Sequence, residues 1–304
     1  RVLSGRGKFI PRNTLPLWGT GGIGFKTFFW DGKVDFLNET KVSPFGDNTP
    51  SNDPLVVAVH LPAIEIGEML VDDSKVKKYK METTDDALKV YQLVVDKLRK
   101  QDHKAIKELA MALNKGESEV KFIHIARAIA SFIRSEFKIK KTKFEEFLFE
   151  GGKLSKNELK GGIIFYGKGK CSNCHDGPYF TDFKFHIIPT PQLGFGKNAF
   201  GIDYGRFNVT FQPNDLYRFR TPPLYNVSKT APYGHSGSVK TLEEVITYHF
   251  DPLKFAAIDK MDQLERHEYY KRLSSTSENM LHISYLTTEE VSFLVSFLES
   301  LSYD

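Results

Sequence analysis

Apolar residues in roughly the first quarter of the chain recur with neither a helical nor a strand period. Gly, Pro, Asn and Asp interrupt them, which predicts loops, turns and short helices. The run SPFGDNTPSNDP, within 42–54, reads as a surface excursion. Periodicity then appears. Thr84 is placed to cap a helix beginning at Asp85-Asp86, with Leu88, Tyr91, Val94, Val95 and Leu98 on one side. A second helix is expected from about Glu119 to Phe137, its stripe formed by Phe122, Ile125, Ala126, Ile129, Phe132 and Ile133. The basic stretch Lys138–Lys143 reads as an exposed connection between two lobes.

Three capping boxes mark later helix starts: Ser155–Glu158, Thr241–Glu244 and Thr287–Glu290. The first predicts a helix carrying Leu159, Ile163, Ile164 and Tyr166 toward Cys171. The second opens a short helix that stops before Pro252. The third opens a helix whose face is Val291, Leu294, Val295 and Leu298. Residues 176–233 are again rich in Gly and Pro. No strand-rich region and no internal repeat is visible. The expected fold is mainly α: two cytochrome-c-like lobes, 1–140 and 141–304, with extensive irregular loops packed around a covalent haem.

The chain has 304 residues, 40% hydrophobic and 26% charged, which is ordinary globular composition. Its 25 Phe are enough to line a large apolar pocket. The net charge of +4 is small and its positive charges read as scattered, so nucleic acid is not an expected partner. No apolar run reaches the roughly 18 residues of a membrane span, and no secretory leader is visible. With only two cysteines, three positions apart, a disulfide framework is excluded.

Those cysteines belong to Cys171-Ser172-Asn173-Cys174-His175. Cys-x-x-Cys-His is the attachment signature of haem c. Two intervening residues let one turn present both sulfurs to the two vinyl groups on one porphyrin edge. The next residue, His175, falls under the ring and offers a nitrogen to iron. A redox dithiol would need a βαβ context, and a tetrahedral zinc site would need further ligands at short spacing. Neither is present, so haem is the reading adopted. Covalent haem implies assembly in an extracytoplasmic compartment, in bacteria the periplasm.

The best candidate for a sixth ligand is His249. Leu242, Val245, Ile246 and His249 share one face of the helix opened by Thr241. An imidazole aimed into an apolar pocket needs a partner, and iron would serve. Met261 is the runner-up, and a core histidine satisfied by a carbonyl is the plain alternative.

PRNTLPLW (11–18), FFWDGK (28–33), LPAIEIGEM (61–69), IARAIASFIRS (125–135), CSNCHDG (171–177), DYGRFNVT (203–210), FRTPPLYNVSKTAPYGHSGS (219–238) and TLEEV (241–245) together resemble the bacterial di-haem cytochrome c peroxidases and MauG. The resemblance implies two haem lobes facing across a calcium site. CSNCH matches the C-terminal haem, which accepts electrons and passes them to an N-terminal haem that reacts with peroxide. His249 falls where the peroxidases carry methionine and MauG tyrosine, which implies bis-histidine ligation and a lower potential.

By the same resemblance, Trp30 bridges electron transfer between the haems. Glu68 is the distal acid–base residue that moves a proton between peroxide oxygens, with Glu65 a nearby competitor. The side-chain oxygen of Asn13 and the carbonyls of Thr230 and Pro232 are calcium ligands. His235 and Arg206 are expected near the haem edge or between the lobes. Arg220 is expected to pair with a propionate.

The family's N-terminal haem motif is expected a few dozen residues before PRNTLPLW, and the reading adopted is a longer di-haem protein truncated ahead of it. The expected function is reduction of hydrogen peroxide with electrons from a small cytochrome or cupredoxin. MauG-like oxidation of a protein substrate and a non-enzymatic electron-transfer subunit are the alternatives. A homodimer or a place in a larger complex is compatible with all three.

Overall fold

The computed structural model describes residues 12–37, 41–65, 84–192, 196, 202–281 and 283–303. Among the described residues, strands are confined to two short antiparallel pairs, β1 (Thr27–Phe28) with β2 (Val34–Asp35), and β3 (Phe185–His186) with β4 (Phe219–Arg220). The α-helices are α1 (Pro54–Ile64), α2 (Thr84–Gln101), α3 (His103–Ala112), α4 (Phe122–Glu136), α5 (Lys143–Phe149), α6 (Lys156–Tyr166), α7 (Phe207–Thr210), α8 (Leu242–Tyr248), α9 (Gln263–Ser274), α10 (Glu278–Leu281) and α11 (Thr288–Glu299). The fold is mainly α.

Two hydrophobic cores organise these elements. Phe25, Phe28, Val34 and Phe36 join apolar side chains of α1, α2 and α4 in the first. Helix α1 is apolar almost all round and correspondingly buried. Its N-cap Asp53 takes two hydrogen bonds from Arg134 of α4, at 2.8 and 2.7 Å. The second core unites Phe144 of α5, Ile164 and Phe165 of α6, Leu242 of α8, and Val291, Leu294, Phe297 and Leu298 of α11. The cores exchange residues along the chain: Trp18 packs on the second and Tyr179 belongs to the first.

The three expected capping boxes form. Ser155, Thr241 and Thr287 each accept from the backbone N–H three residues on, and Glu158, Glu244 and Glu290 reach back to the cap. Two more form that sequence reading missed, Thr142 with Glu145 at α5 and Asp262 with Glu265 at α9, the latter because its face is largely charged. Three expected faces need correction. On α2 Leu88 is exposed, and Ala87 and Val90 are buried beside Tyr91, Val94 and Val95. On α4 the buried positions are Phe122, Ala126 and Ala130, while Ile129 and Phe132 are exposed. On α6 they are Gly161, Ile164 and Phe165, while Leu159, Ile163 and Tyr166 face outward. The cause is glycine: a Cβ on Gly161 would overlap the Phe293 carbonyl oxygen of α11, so the helices meet where there is no side chain. Hydrophobicity ranks glycine poorly and therefore points to the wrong side.

Candidate functional site

Helix α6 ends in the run Gly167-Lys168-Gly169-Lys170. Lys170 adopts a left-handed conformation, φ 51°, and leads into a single tight turn, Cys171–Asn173. Within it Cys174 N and His175 N both donate to the Cys171 carbonyl, at 3.3 and 2.9 Å. The turn therefore places two sulfurs and an imidazole at one end of a cavity. Both cysteines are free thiols. Burial pushes the Cys171 thiol up to about 12.

The cavity offers about 200 Å³ to the centres of water-sized spheres and is walled mainly by apolar side chains. Phe165 of α6, Leu224, the α8 face Leu242-Val245-Ile246, Phe250, and Leu294 and Leu298 of α11 line it. His249 lines it too, immediately after α8, so the stripe expected from sequence does face inward. Met261 is not part of the wall. Met280, Ile283 and Leu286 are, and sequence reading singled out none of them.

Two imidazoles share this space with the same anchoring. His175 Nδ1 donates to the Phe180 carbonyl at 2.9 Å, and His249 Nδ1 donates to the Val245 carbonyl at 2.7 Å. A backbone carbonyl on Nδ1 selects the tautomer and leaves Nε2 as the nitrogen for a ligand. Burial holds both neutral. It brings His175 down to about 4, with the neighbouring His249 contributing, and it lowers His249 as well. The accessibility His175 retains is to the cavity it lines. Two buried neutral imidazoles and two thiols around an apolar chamber fit a planar, largely apolar iron macrocycle better than water or a polar ligand.

Charge at the rim fits the same group. Arg220 is buried and lines the cavity. Its Nε donates to the Phe29 carbonyl at 3.1 Å, its ring neighbours are Phe25 and Phe183, and burial brings it down to about 10. A guanidinium this desolvated gains from a carboxylate such as a propionate. His235, also buried, lines the wall stacked on Phe219, centroids 3.8 Å apart. Trp30 lines the opposite stretch, its Nε1 donating to the Asn13 carbonyl at 2.8 Å.

Other expected residues fall elsewhere. Arg206 does not line the cavity. It donates to the carbonyls of Asp31 (3.0 Å) and Gly32 (2.6 Å) and pairs with Asp35 at 3.2 Å, over the Phe185 ring, so it bridges the two halves, the second of the two places expected for it. Glu68 lies outside the described residues. Glu65, its competitor, pairs with Lys33 at 3.2 Å. Asn13, Thr230 and Pro232 all line the cavity, and Asn13 touches Pro232. The Asn13 amide nitrogen, rather than its oxygen, faces the Pro232 carbonyl at 2.6 Å, so a cation there requires the amide to turn over.

Two features escaped sequence reading. Arg12 donates to Asp31 at 2.6 Å and to Asp203 at 2.6 and 2.9 Å, tying three of the quoted motifs into one buried ionic junction beside Trp30. Their co-occurrence was the available signal. Second, Cys174, Asp182 and His186 hold their ligand atoms within 4.8 Å of one another. His186 Nε2 bonds Asp182 at 2.9 Å. Three ligands fall short of a closed tetrahedral zinc site, and a thioether at Cys174 would remove its thiolate.

No family model matches the chain. Over 195 residues it is 30% identical to the cytochrome-c peroxidase IdrP1 of Pseudomonas sp. (strain SCT), covering 51% of this chain and 50% of that protein. It is 29% identical over 191 residues to the cytochrome c551 peroxidase of Nitrosomonas europaea, covering 62% of this chain and 47% of that one. It is 27% identical over 190 residues to the methylamine utilization protein MauG of Methylophilus methylotrophus, covering 61% and 49%. The chain is a relative of the bacterial cytochrome c peroxidases and MauG. It spans about half the length of these curated relatives. Two solved structures share the fold of this peroxidase–MauG relative. A MauG-like protein associated with microbial copper homeostasis superposes with a TM-score of 0.64 at 21% identity, covering 100% of this chain and 77% of that one. The diheme peroxidase BthA of Burkholderia thailandensis E264 superposes with a TM-score of 0.67 at 17% identity, covering 97% and 73%. Haem c is the cofactor the peroxidase relatives imply, and the cavity of this chain suits it. No helix among the described residues is long and apolar enough to cross a membrane.

Proposed function

We propose that this chain carries the electron-accepting haem c site of a peroxidase-type oxidoreductase working outside the cytoplasm. The observation that carries the reading is the pair of carbonyl-anchored imidazoles, His175 and His249, sharing one apolar cavity with the two thiols. In this reading Cys171 and Cys174 would hold the haem through thioether links, His175 and His249 would ligate its iron, and Arg220 would pair with a propionate. Bound there, a haem stores and releases one electron at a time.

The protein's own residues determine how that electron is handled. With haem bound, His175 and His249 would both hold its iron and leave peroxide no open position, so this site would pass electrons rather than bind substrate. Its apolar wall excludes water and limits reorganisation. Trp30, held by its bond to the Asn13 carbonyl, is the proposed bridge toward a second, peroxide-reactive haem such as a diheme peroxidase carries. There Glu68 would take a proton from one peroxide oxygen and return it to the other. A calcium ion held by Asn13 and the carbonyls of Thr230 and Pro232 would tie the two lobes, and a small cytochrome or cupredoxin would supply electrons.

The test begins with an intact mass and a haem stain of the holoprotein, followed by its absorption and paramagnetic-resonance spectra. The expected result is covalent haem with a low-spin bis-imidazole signature that His249→Ala converts to high spin. A colourless polypeptide refutes the reading. Peroxide turnover with a reduced donor protein then supports the peroxidase assignment. Haem reduction without peroxide turnover leaves an electron-transfer subunit, and peroxide-driven oxidation of a protein substrate leaves a MauG-like activity.

A further inference from the structure

One acid–base pair at the cavity is not used by the proposed haem attachment. His186, on β3, lines the cavity, and its Nε2 bonds the Asp182 carboxylate at 2.9 Å. The two side chains are 12% and 9% exposed, so the pair is shielded from bulk water yet still reaches it. Asp182 is fixed by its own turn. Its other oxygen accepts from the Lys184 backbone N–H at 2.9 Å, and its own N–H donates to the Cys174 carbonyl at 2.7 Å. Burial alone would raise this carboxyl, but the bonds from His186 and Lys184 outweigh it and keep it ionised.

Position decides what the pair can do. Cys174, Asp182 and His186 hold their ligand atoms within 4.8 Å of one another. With Cys174 linked to haem, the pair stands at the thioether edge of the macrocycle. A porphyrin carries its propionates on the opposite edge, so His186 is not placed to hold one. What it brings is a charge that depends on one proton. Protonated, the imidazole cancels Asp182 and the pair is neutral. Deprotonated, it leaves the carboxylate's negative charge beside the ring, against an apolar wall where charges are poorly screened. That charge opposes an arriving electron, and by reciprocity the electron strengthens the hold on the proton.

The surroundings of His186 leave Asp182 as its main partner. The Asp182 bond, and after it Cys174, raise the imidazole to about 9. Linking Cys174 to haem removes the second contribution, and oxidised iron repels the proton further. His175 feels the pair only through space. On β4 the register partner is the uncharged ring of Phe219, and Ser277, just before α10, bonds the adjoining Ile187 N–H. We infer that the Asp182–His186 pair is the proton partner of this haem: an electron entering the iron is matched by a proton taken from solvent onto His186, and both leave together. This rests on the haem reading of the site and adds how its charge is kept balanced. Reduction of peroxide to two waters consumes two electrons and two protons, so the pairing suits the proposed reaction.

The experiment is a spectroelectrochemical titration of the holoprotein between pH 5 and 10, with the low-spin spectrum checking ligation throughout. The expected coupling is about tenfold, which lowers the midpoint by about 59 mV from the acid to the alkaline plateau. His186→Gln leaves Asp182 unbalanced at every pH, so its midpoint should be flat and lie near the wild-type alkaline plateau. His186→Gln/Asp182→Asn removes both charges and should be flat near the acid plateau. Those opposite positions follow from charge, and packing alone would not produce them. The double variant also serves if the single one does not fold. An indicator dye in weakly buffered solution should register proton uptake on reduction of the wild type and none in either variant. A wild-type midpoint independent of pH overturns the inference, as does a slope that His186→Gln leaves unchanged, which would assign the proton to a propionate. A chain without covalent haem fails the underlying function reading instead, before any potential is measured.

Discussion

The Arg12 junction supplies the sharpest test of how the structure is held around its cavity. Arg12→Met keeps the length of the side chain and removes three hydrogen bonds of 2.6–2.9 Å to Asp31 and Asp203. Those carboxylates are 0% and 2% exposed, so water cannot replace the lost cation. Removing one partner of a buried ion pair costs about 3–5 kcal/mol, because the charge left behind is uncompensated. The pH dependence follows from the same groups. Burial alone would raise the Asp203 carboxyl, but the Arg12 hydrogen bonds outweigh it and hold the group below its usual value. In the wild type, then, this contribution is present above about pH 4 and is lost as pH falls through the depressed folded value. In the variant burial is opposed only by the bonds from Gly205 N and Asn208 and by the nearby His235, so the Asp203 carboxyl moves upward and the fold gives up part of that pH dependence. The stability gap should be widest near pH 7 and narrow toward pH 4. Urea unfolding followed by tryptophan fluorescence measures it, and Trp30 beside the junction should shift its emission as its environment loosens. A loss under about 1 kcal/mol at pH 7, or one unchanged at pH 5, would refute the account of a buried, mutually dependent ionic cluster.

Three further outcomes are expected. His249→Met should raise the midpoint potential of the bound haem, because thioether sulfur favours the reduced iron; a spectroelectrochemical titration with an unchanged midpoint would remove His249 from the axial position. Gly161→Ala should lower stability by about 1–3 kcal/mol, since its new methyl overlaps the Phe293 carbonyl and forces α6 from α11; an unchanged thermal midpoint would show that the helix pair yields without cost. His186, raised to about 9 chiefly by its bond to Asp182, stabilises the fold fully below about pH 6.5 and progressively less as pH climbs toward 9. His186→Gln should therefore destabilise at pH 6 and converge with wild type near pH 10, as read by denaturation midpoints across pH, and a gap constant with pH would assign the effect to packing alone.

Much of this protein was legible from local pattern. Cys171, Cys174 and His175 identify themselves because covalent attachment demands adjacency in sequence, and the three capping boxes formed because an N-cap is satisfied within four residues. His249 was readable for the same reason: three apolar neighbours on one helical face settle the direction of the fourth side chain. What spans long separations was not readable. The Arg12–Asp31–Asp203 junction joins positions up to 191 residues apart, and no local periodicity encodes that meeting. For Arg206 the sequence left two places open, a haem edge or the contact between the lobes, and only the β1–β2 turn that takes its donors shows the second. The outward face of α6 went against its hydrophobicity because packing followed the absence of a side chain at Gly161. Local hydrogen bonding and chemistry thus determined which residues could bind a haem and where helices begin, whereas close packing and buried charge, which depend on what arrives from elsewhere in the chain, decided which faces closed and which stayed open to solvent.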